Sequence, residues 1–216
     1  MAHIHLEDGA FSLTWVLVWW LLALVCIGIA LWILRSKGRK DTGRITLAAF
    51  VTAAAFALFQ VNIPLFGGVH LNLTPLVGIL AGPVLGSLVV LVINILSAAI
   101  GHGGWGLVGA NVLVNLAEVL VAFAVFRGSR TFLPDLFSRA GIATFAGLFT
   151  GNLIMIGIIL VSGVQGVTQS PEQVLAGLSL IVAVNMGVAV IEALLSGLIV
   201  RYIGNVRPDL LGEQKG

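Results

Sequence analysis

The sequence predicts an all-α membrane protein, one integral domain over residues 1–216 with about seven transmembrane helical elements, two of them short. Three observations predict it. Hydrophobic residues make up 59% of the chain and charged residues 9%, against about 25% charged in a soluble domain. Apolar runs recur at 12–34, 45–66, 72–100, 105–126, 140–162 and 173–203, and roughly 20 apolar residues cross a hydrocarbon core as helix. The eleven Lys and Arg fall into three groups, separated by stretches that hold none.

The basic groups set the path of the chain. Arg35, Lys37, Arg39, Lys40 and Arg44 lie between the first two runs. Arg127, Arg130 and Arg139 lie between 126 and 140, and Arg201, Arg207 and Lys215 lie at the C-terminal end. The arm at 1–11 and the loops at 67–71, 101–104 and 163–172 have no Lys or Arg. Basic residues favour the cytoplasmic side, which places the N-terminus outside and the C-terminus inside.

Each element then has a direction. The first run goes in, and the second returns to emerge near Gly67. The fourth must start outside at Trp105 to reach Arg127 inside. The third, 72–100, therefore begins and ends outside, which one helix cannot do. Two short helices folded back at Gly82-Pro83 satisfy this, because proline removes a donor and disfavours helix before it. A broken helix is tolerated at membrane depth where protein buries it or it lines a cavity. The single cysteine, Cys26, excludes an internal disulfide framework. Residues 1–11 lack a positive n-region and the first run is too long for an h-region, so it reads as a span with the encoded terminus ahead of it, Met1 retained or removed.

The chain opens MAHIHLEDG, with two of its four histidines in the first five residues. The others are His70 in FGGVHLNLTP and His102 in GHGGWG. In this topology all four lie on the outer face, beside Glu7, Asp8 and Glu172. Such a face attracts cations, and imidazole is the usual ligand for Zn, Cu, Ni and Co. Four unrelated interfacial histidines would give the same pattern. The terminus adds a chelate. A free α-amine, deprotonated amides and a nearby imidazole close fused rings in one plane, which suits Cu(II) and Ni(II). Met1 retained gives an amine, two amides and the His3 imidazole. Met1 removed leaves Ala2-His3 with three nitrogens and a fourth position for another histidine, His70 first, then His5 or His102.

The motifs HLEDGAFS, AHI, HLNLTPLVGILAGPVLG and GGWGLVGANV make the chain similar, over nearly its whole length, to the cobalt/nickel substrate-binding membrane subunits of energy-coupling-factor transporters, the CbiM/NikM family. The resemblance implies a metal held by N-terminal nitrogens, the amide and imidazole of a following histidine, and a histidine after the second helix, which His70 matches. Counting back from Asp8-Gly9 puts the family's terminal histidine at His5; counting forward from Ala2 puts it at His3. The expected ligand set is Ala2 (or Met1), His3 and His70, with His5 auxiliary and Co²⁺ or Ni²⁺ as the transported ion.

The resemblance also implies partners: a transmembrane coupling subunit, ATP-binding cassette ATPases and, as a further candidate, a small accessory membrane subunit, all in the plasma membrane of a prokaryote. Ala49, Ala53 and Ala57 form a small-residue stripe that would dock on the coupling subunit, or pack within the bundle.

Within the spans, Asn111, Asn115 and Glu118 share one helix face, and Asn185 and Glu192 are seven apart on the last run. A carboxyl in a bilayer usually faces the bundle interior. These residues, with His102, read as hydrogen-bonding support behind the metal site or as interhelical packing. There is no Walker A loop and no HExxH pair, which points away from ATP hydrolysis and from an enzyme; nucleic acid is not an expected partner. The rival reading is a stand-alone secondary metal carrier, for which Glu118 and Glu192 would be two steps of a path.

Overall fold

The computed structural model describes residues 8–36, 42–59, 62–63, 69–71, 73–101, 103–165 and 170–211. Among them run six α-helices: α1 (Leu13–Ser36), α2 (Thr42–Phe59), α3 (Thr74–Ala99), α4 (Val108–Gly128), α5 (Leu136–Ser162) and α6 (Pro171–Val206). Two antiparallel two-residue strands, β1 (Asn62–Ile63) and β2 (Val69–His70), lie between α2 and α3, with Asn62 opposite His70. Five helical stretches are long and apolar enough to cross a membrane; α2 contributes the shorter apolar stretch Ile45–Leu58.

The expected count of seven helical elements is corrected to six. The two short helices expected around Gly82-Pro83 form one element, α3, with the break inside it. Gly82 has φ 77° and ψ 177°, a backbone that only glycine adopts cheaply, and Pro83 disfavours the helical alternative. The chain does turn back there. A Cβ built on Gly78 would strike the Val119 carbonyl, and one on Gly86 would lie 2.8 Å from Val119 Cγ1. Eight residues of straight helix advance about 12 Å, too far for both glycines to meet one residue of α4.

The second apolar run also ends earlier than expected. Helix stops at Phe59, and Asn62–Ile63 is extended. Ile63 precedes Pro64, and a residue before proline is pushed out of the helical region.

Among the described residues, Arg127 and Arg207 stand together at one end of the bundle. Gly82, at the turn of α3, lines a cavity of about 310 Å³ with Gly43 at the start of α2, Arg127 at the end of α4 and Arg207 just past α6. Arg139 is buried nearby, its guanidinium carbon 4.3 Å from the Phe126 ring centroid, a contact that offsets part of the cost of burying the charge. Asp135 caps α5 by accepting from the Ser138 N–H at 2.9 Å and its hydroxyl at 2.7 Å. These bonds hold the Asp135 carboxyl below the usual carboxylate range. At the other end, Ser170 and Gln173 close a capping box on α6.

Helices α2 to α6 pack in chain order, while α1 lies against α3 and α4. Ala48, Val51 and Ala55 of α2 pack on Val77, Val89 and Ile93 of α3. Ala23 and Ile27 of α1 pack on Ala98, Val108 and Val112. Helix α5 meets α6 closely at glycines; a Cβ on Gly197 would lie 2.8 Å from the Phe137 carbonyl oxygen. Helix α1 buries only Ala23, Ile27 and Ala30 and leaves Leu13, Leu17, Leu21 and Trp32 exposed. A helix apolar all round with so thin a buried stripe belongs in lipid.

Candidate metal-capture site

The N-terminal arm is fastened to the bundle at the end opposite Gly82. Phe11 is 3% exposed and sits in a cluster with Leu107, Ala110, Val114, Met155 and Ile158. Burying a phenylalanine contributes about 1.5–3 kcal/mol, enough to hold a short arm. The Ala10 carbonyl accepts from the Gln165 N–H at 2.8 Å, which ties the arm to the segment after α5. Asp8 Oδ1 accepts from the Gly106 N–H at 2.9 Å. Gly106 is the middle residue of the short helical turn Trp105–Leu107 ahead of α4. Gly104 is required beside it, because a Cβ there would occupy the Asp8 carboxylate's place.

Tryptophans of α1 complete the fastening. Trp15 and Trp19 stack with centroids 5.6 Å apart. Trp19 Nε1 donates to Ser162 Oγ at 2.8 Å, and Trp20 Nε1 donates to the Trp105 carbonyl at 3.3 Å. Gly109 lets α1 and α4 touch; a Cβ there would lie 2.6 Å from the Trp20 backbone nitrogen.

Beneath Phe11 lies the polar face expected on α4. Asn111, Asn115 and Glu118 are 2%, 1% and 0% exposed, so all three point into the bundle. Glu118 packs against α5 where there is no side chain: a Cβ on Gly151 would lie 2.7 Å from Glu118 Cγ. Asn115 Oδ1 has no hydrogen-bond partner among the described residues. Asn185 Nδ2 donates to Asn152 Oδ1 at 2.9 Å, an α5–α6 link that serves packing.

Met1, Ala2, His3, His5 and His102 lie outside the described residues, and His70 is described through β2 alone. Among the described residues no three His, Cys, Asp or Glu form a metal-binding group. Ala49, Ala53 and Ala57 are exposed on the face of α2 that turns away from its core contacts. Two functional-looking contacts escaped sequence reading. One is Asp8 on Gly106, across 98 residues. The other is Glu192 Oε2 accepting from the Leu73 N–H at 3.1 Å, across 119 residues. The sole advance signal for Glu192 was a carboxyl at membrane depth.

Replacing Asp8 by alanine removes a hydrogen bond to an exposed charged acceptor, worth about 1 kcal/mol or roughly 5-fold in a local opening equilibrium. Amide exchange at Gly106 should accelerate by about that factor, and Gly104→Ala should reproduce the effect with Asp8 in place. Unchanged exchange in both would show that the arm is held without this contact.

A family model described as cobalt uptake substrate-specific transmembrane region matches residues 5–210. A candidate cobalt transport protein, CbiM 1 of Methanocorpusculum labreanum, is 27% identical, with 96% of this chain and 92% of that protein covered. A candidate fused nickel transport protein, NikMN of Archaeoglobus fulgidus, is 30% identical, covering 98% of this chain and 69% of that protein. Among solved structures, a truncated transition metal transporter superposes with a TM-score of 0.78 at 18% identity, covering 94% of this chain and 99% of the other.

Proposed function

Because the chain belongs to the family of cobalt-uptake substrate-specific transmembrane regions, a membrane transport component and not an enzyme, we propose that it is the metal-capturing subunit of an ATP-driven energy-coupling-factor importer, with Co²⁺ or Ni²⁺ as cargo. The observation that carries this reading is the fastened arm. Phe11 is buried in the bundle and Asp8 is bonded to Gly106, at the end away from Arg127 and Arg207. In this reading that end faces outside and the basic end faces the cytoplasm.

The terminal amine at Met1 or Ala2, the following amide and the His3 imidazole bind the ion, with His70 completing a near-planar nitrogen set and His5 auxiliary. His102, four residues ahead of Gly106 in the sequence, is the reserve ligand. Asn111, Asn115 and Glu118 form the polar floor beneath, supporting the arm by hydrogen bonds rather than touching the metal. The ion is held by nitrogens that serve cobalt and nickel alike. A transmembrane coupling subunit docks on Ala49, Ala53 and Ala57, whose exposure supports a partner at that face. ATPases, and a small accessory membrane subunit, complete the assembly in a prokaryotic plasma membrane. The fused NikMN relative, of which this chain spans 69%, supports additional transporter parts.

Reconstituted alone in liposomes, the protein should bind radioactive Ni²⁺ or Co²⁺ at its outer face and accumulate none. Uptake driven by an ion gradient without any ATPase would favour the stand-alone carrier. His70→Ala should weaken binding by more than the roughly 10–100-fold that loss of a ligand's supporting partner costs.

A further inference from the structure

Leu73 stands three residues after His70 and immediately before α3. Its backbone is left-handed, φ 48° and ψ 15°, and among the described residues it is the one non-glycine with positive φ. Leucine adopts this conformation rarely, and it persists where the surroundings over-determine it. Those surroundings are specific. The Leu73 side chain is buried with Leu76, Ile79, Ala122 and Ala143. Its N–H donates to Oε2 of Glu192, a fully buried side chain on α6, at 3.1 Å.

The need for such a partner is physical. Irregular backbone inside a membrane bundle must be satisfied by protein groups. Helix α3 starts without a side-chain cap of its own. A carboxyl from α6 takes that role across the bundle, and negative character is favoured at a helix N-terminus. Leu73, at the entry to α3, is thereby held by a residue on another helix.

We propose that Glu192 is a positioning residue for metal capture: through the Leu73 N–H it fixes the depth and orientation of the segment that presents His70, and so sets affinity for Ni²⁺ or Co²⁺ without touching the ion. This rests on the reading of His70 as a ligand.

The test compares wild type, His70→Ala, Glu192→Ala, Glu192→Gln and Glu192→Asp in detergent, by calorimetric Ni²⁺ titration, the visible absorption of the Ni²⁺ complex and metal-free melting temperature. Glu192→Ala should weaken binding about 10–100-fold, as loss of a ligand's supporting partner does, and shift the absorption band. Glu192→Gln keeps an acceptor oxygen and should stay within about 3-fold of wild type. A structural role alone would lower the melting temperature of Glu192→Ala and leave affinity and band unmoved, and that result overturns the proposal. Should Glu192→Ala not fold, Glu192→Asp decides: its shorter side chain withdraws the acceptor, so weakened binding supports the proposal and wild-type binding overturns it. Wild-type affinity in His70→Ala sinks the ligand assignment, and the positioning role with it; lost binding there with unchanged Glu192→Ala and Glu192→Asp sinks the positioning role alone.

Discussion

Adding residues ahead of Met1 should abolish tight Ni²⁺ or Co²⁺ binding while leaving the bundle folded. The terminal amine is the one nitrogen in the proposed ligand set that has a basic lone pair and sits in ring-forming reach of the next amide and imidazole. An extension turns it into an amide, which binds a metal only after losing its proton, and moves the new amine out of reach. Losing a chelating donor and its rings is expected to lower affinity by at least about 1,000-fold, or roughly 4 kcal/mol. The fold should not notice, because Asp8, Ala10 and Phe11 fasten the arm by contacts of their own. The measurement is metal titration of a variant carrying a cleavable extension, before and after a protease restores the original terminus. Equal affinity in the two states, with equal melting temperatures, would mean that the metal is held without the amine.

Gly78→Ala should be among the most damaging conservative changes in the bundle. The added methyl would collide with the Val119 carbonyl oxygen, 2.9 Å from Val119 Cα and 3.0 Å from its carbonyl carbon. All three are backbone atoms of a buried helix, so no side chain can turn aside. Relief requires α3 to move off α4. Overpacking of this kind costs about 1–3 kcal/mol, occasionally more. At roughly 2–4 °C per kcal/mol for a chain of this size, the melting midpoint should fall by about 2–12 °C. Gly86→Ala is the internal control. There the closest atom is Val119 Cγ1 at 2.8 Å, the tip of a side chain that can give, so its shift should be less than half as large. The two variants are best compared by detergent size-exclusion after heating. Equal, small shifts would show that α3 and α4 are not in backbone contact at Gly78. Gly78 lies in the half of α3 that follows directly from His70 and Leu73, so Gly78→Ala should also weaken metal binding.

Much of the architecture was legible in the residues because it depends on near neighbours. Long apolar runs make helices of spanning length, and Gly82-Pro83 reverses a helix, since one residue allows a positive φ and the next forbids helix behind it. Asn111, Asn115 and Glu118 share a face because 3.6 residues make a turn, and a bundle in lipid turns its polar face inward. The sequence predicts one element too many because a Gly-Pro step reads as the end of a helix, whereas the helical path resumes at once after Gly82. The end of α2 was misplaced because hydropathy continues past Phe59 where backbone preference, led by the Ile63-Pro64 step, does not.

Composition, periodicity and the spacing of basic residues therefore determined, by themselves, that this is a helical membrane bundle with a re-entrant third element and its polar groups facing inward. Only the tertiary structure decided that Asp8 holds Gly106, that Glu192 holds Leu73 and that Gly78 and Gly86 meet at Val119. The reason is the solvent. Lipid is as apolar as the helices it surrounds, so hydrophobicity does not choose which helix meets which. That choice falls to close-fitting glycines and to a few hydrogen bonds between residues about a hundred positions apart, which no local stretch of sequence encodes.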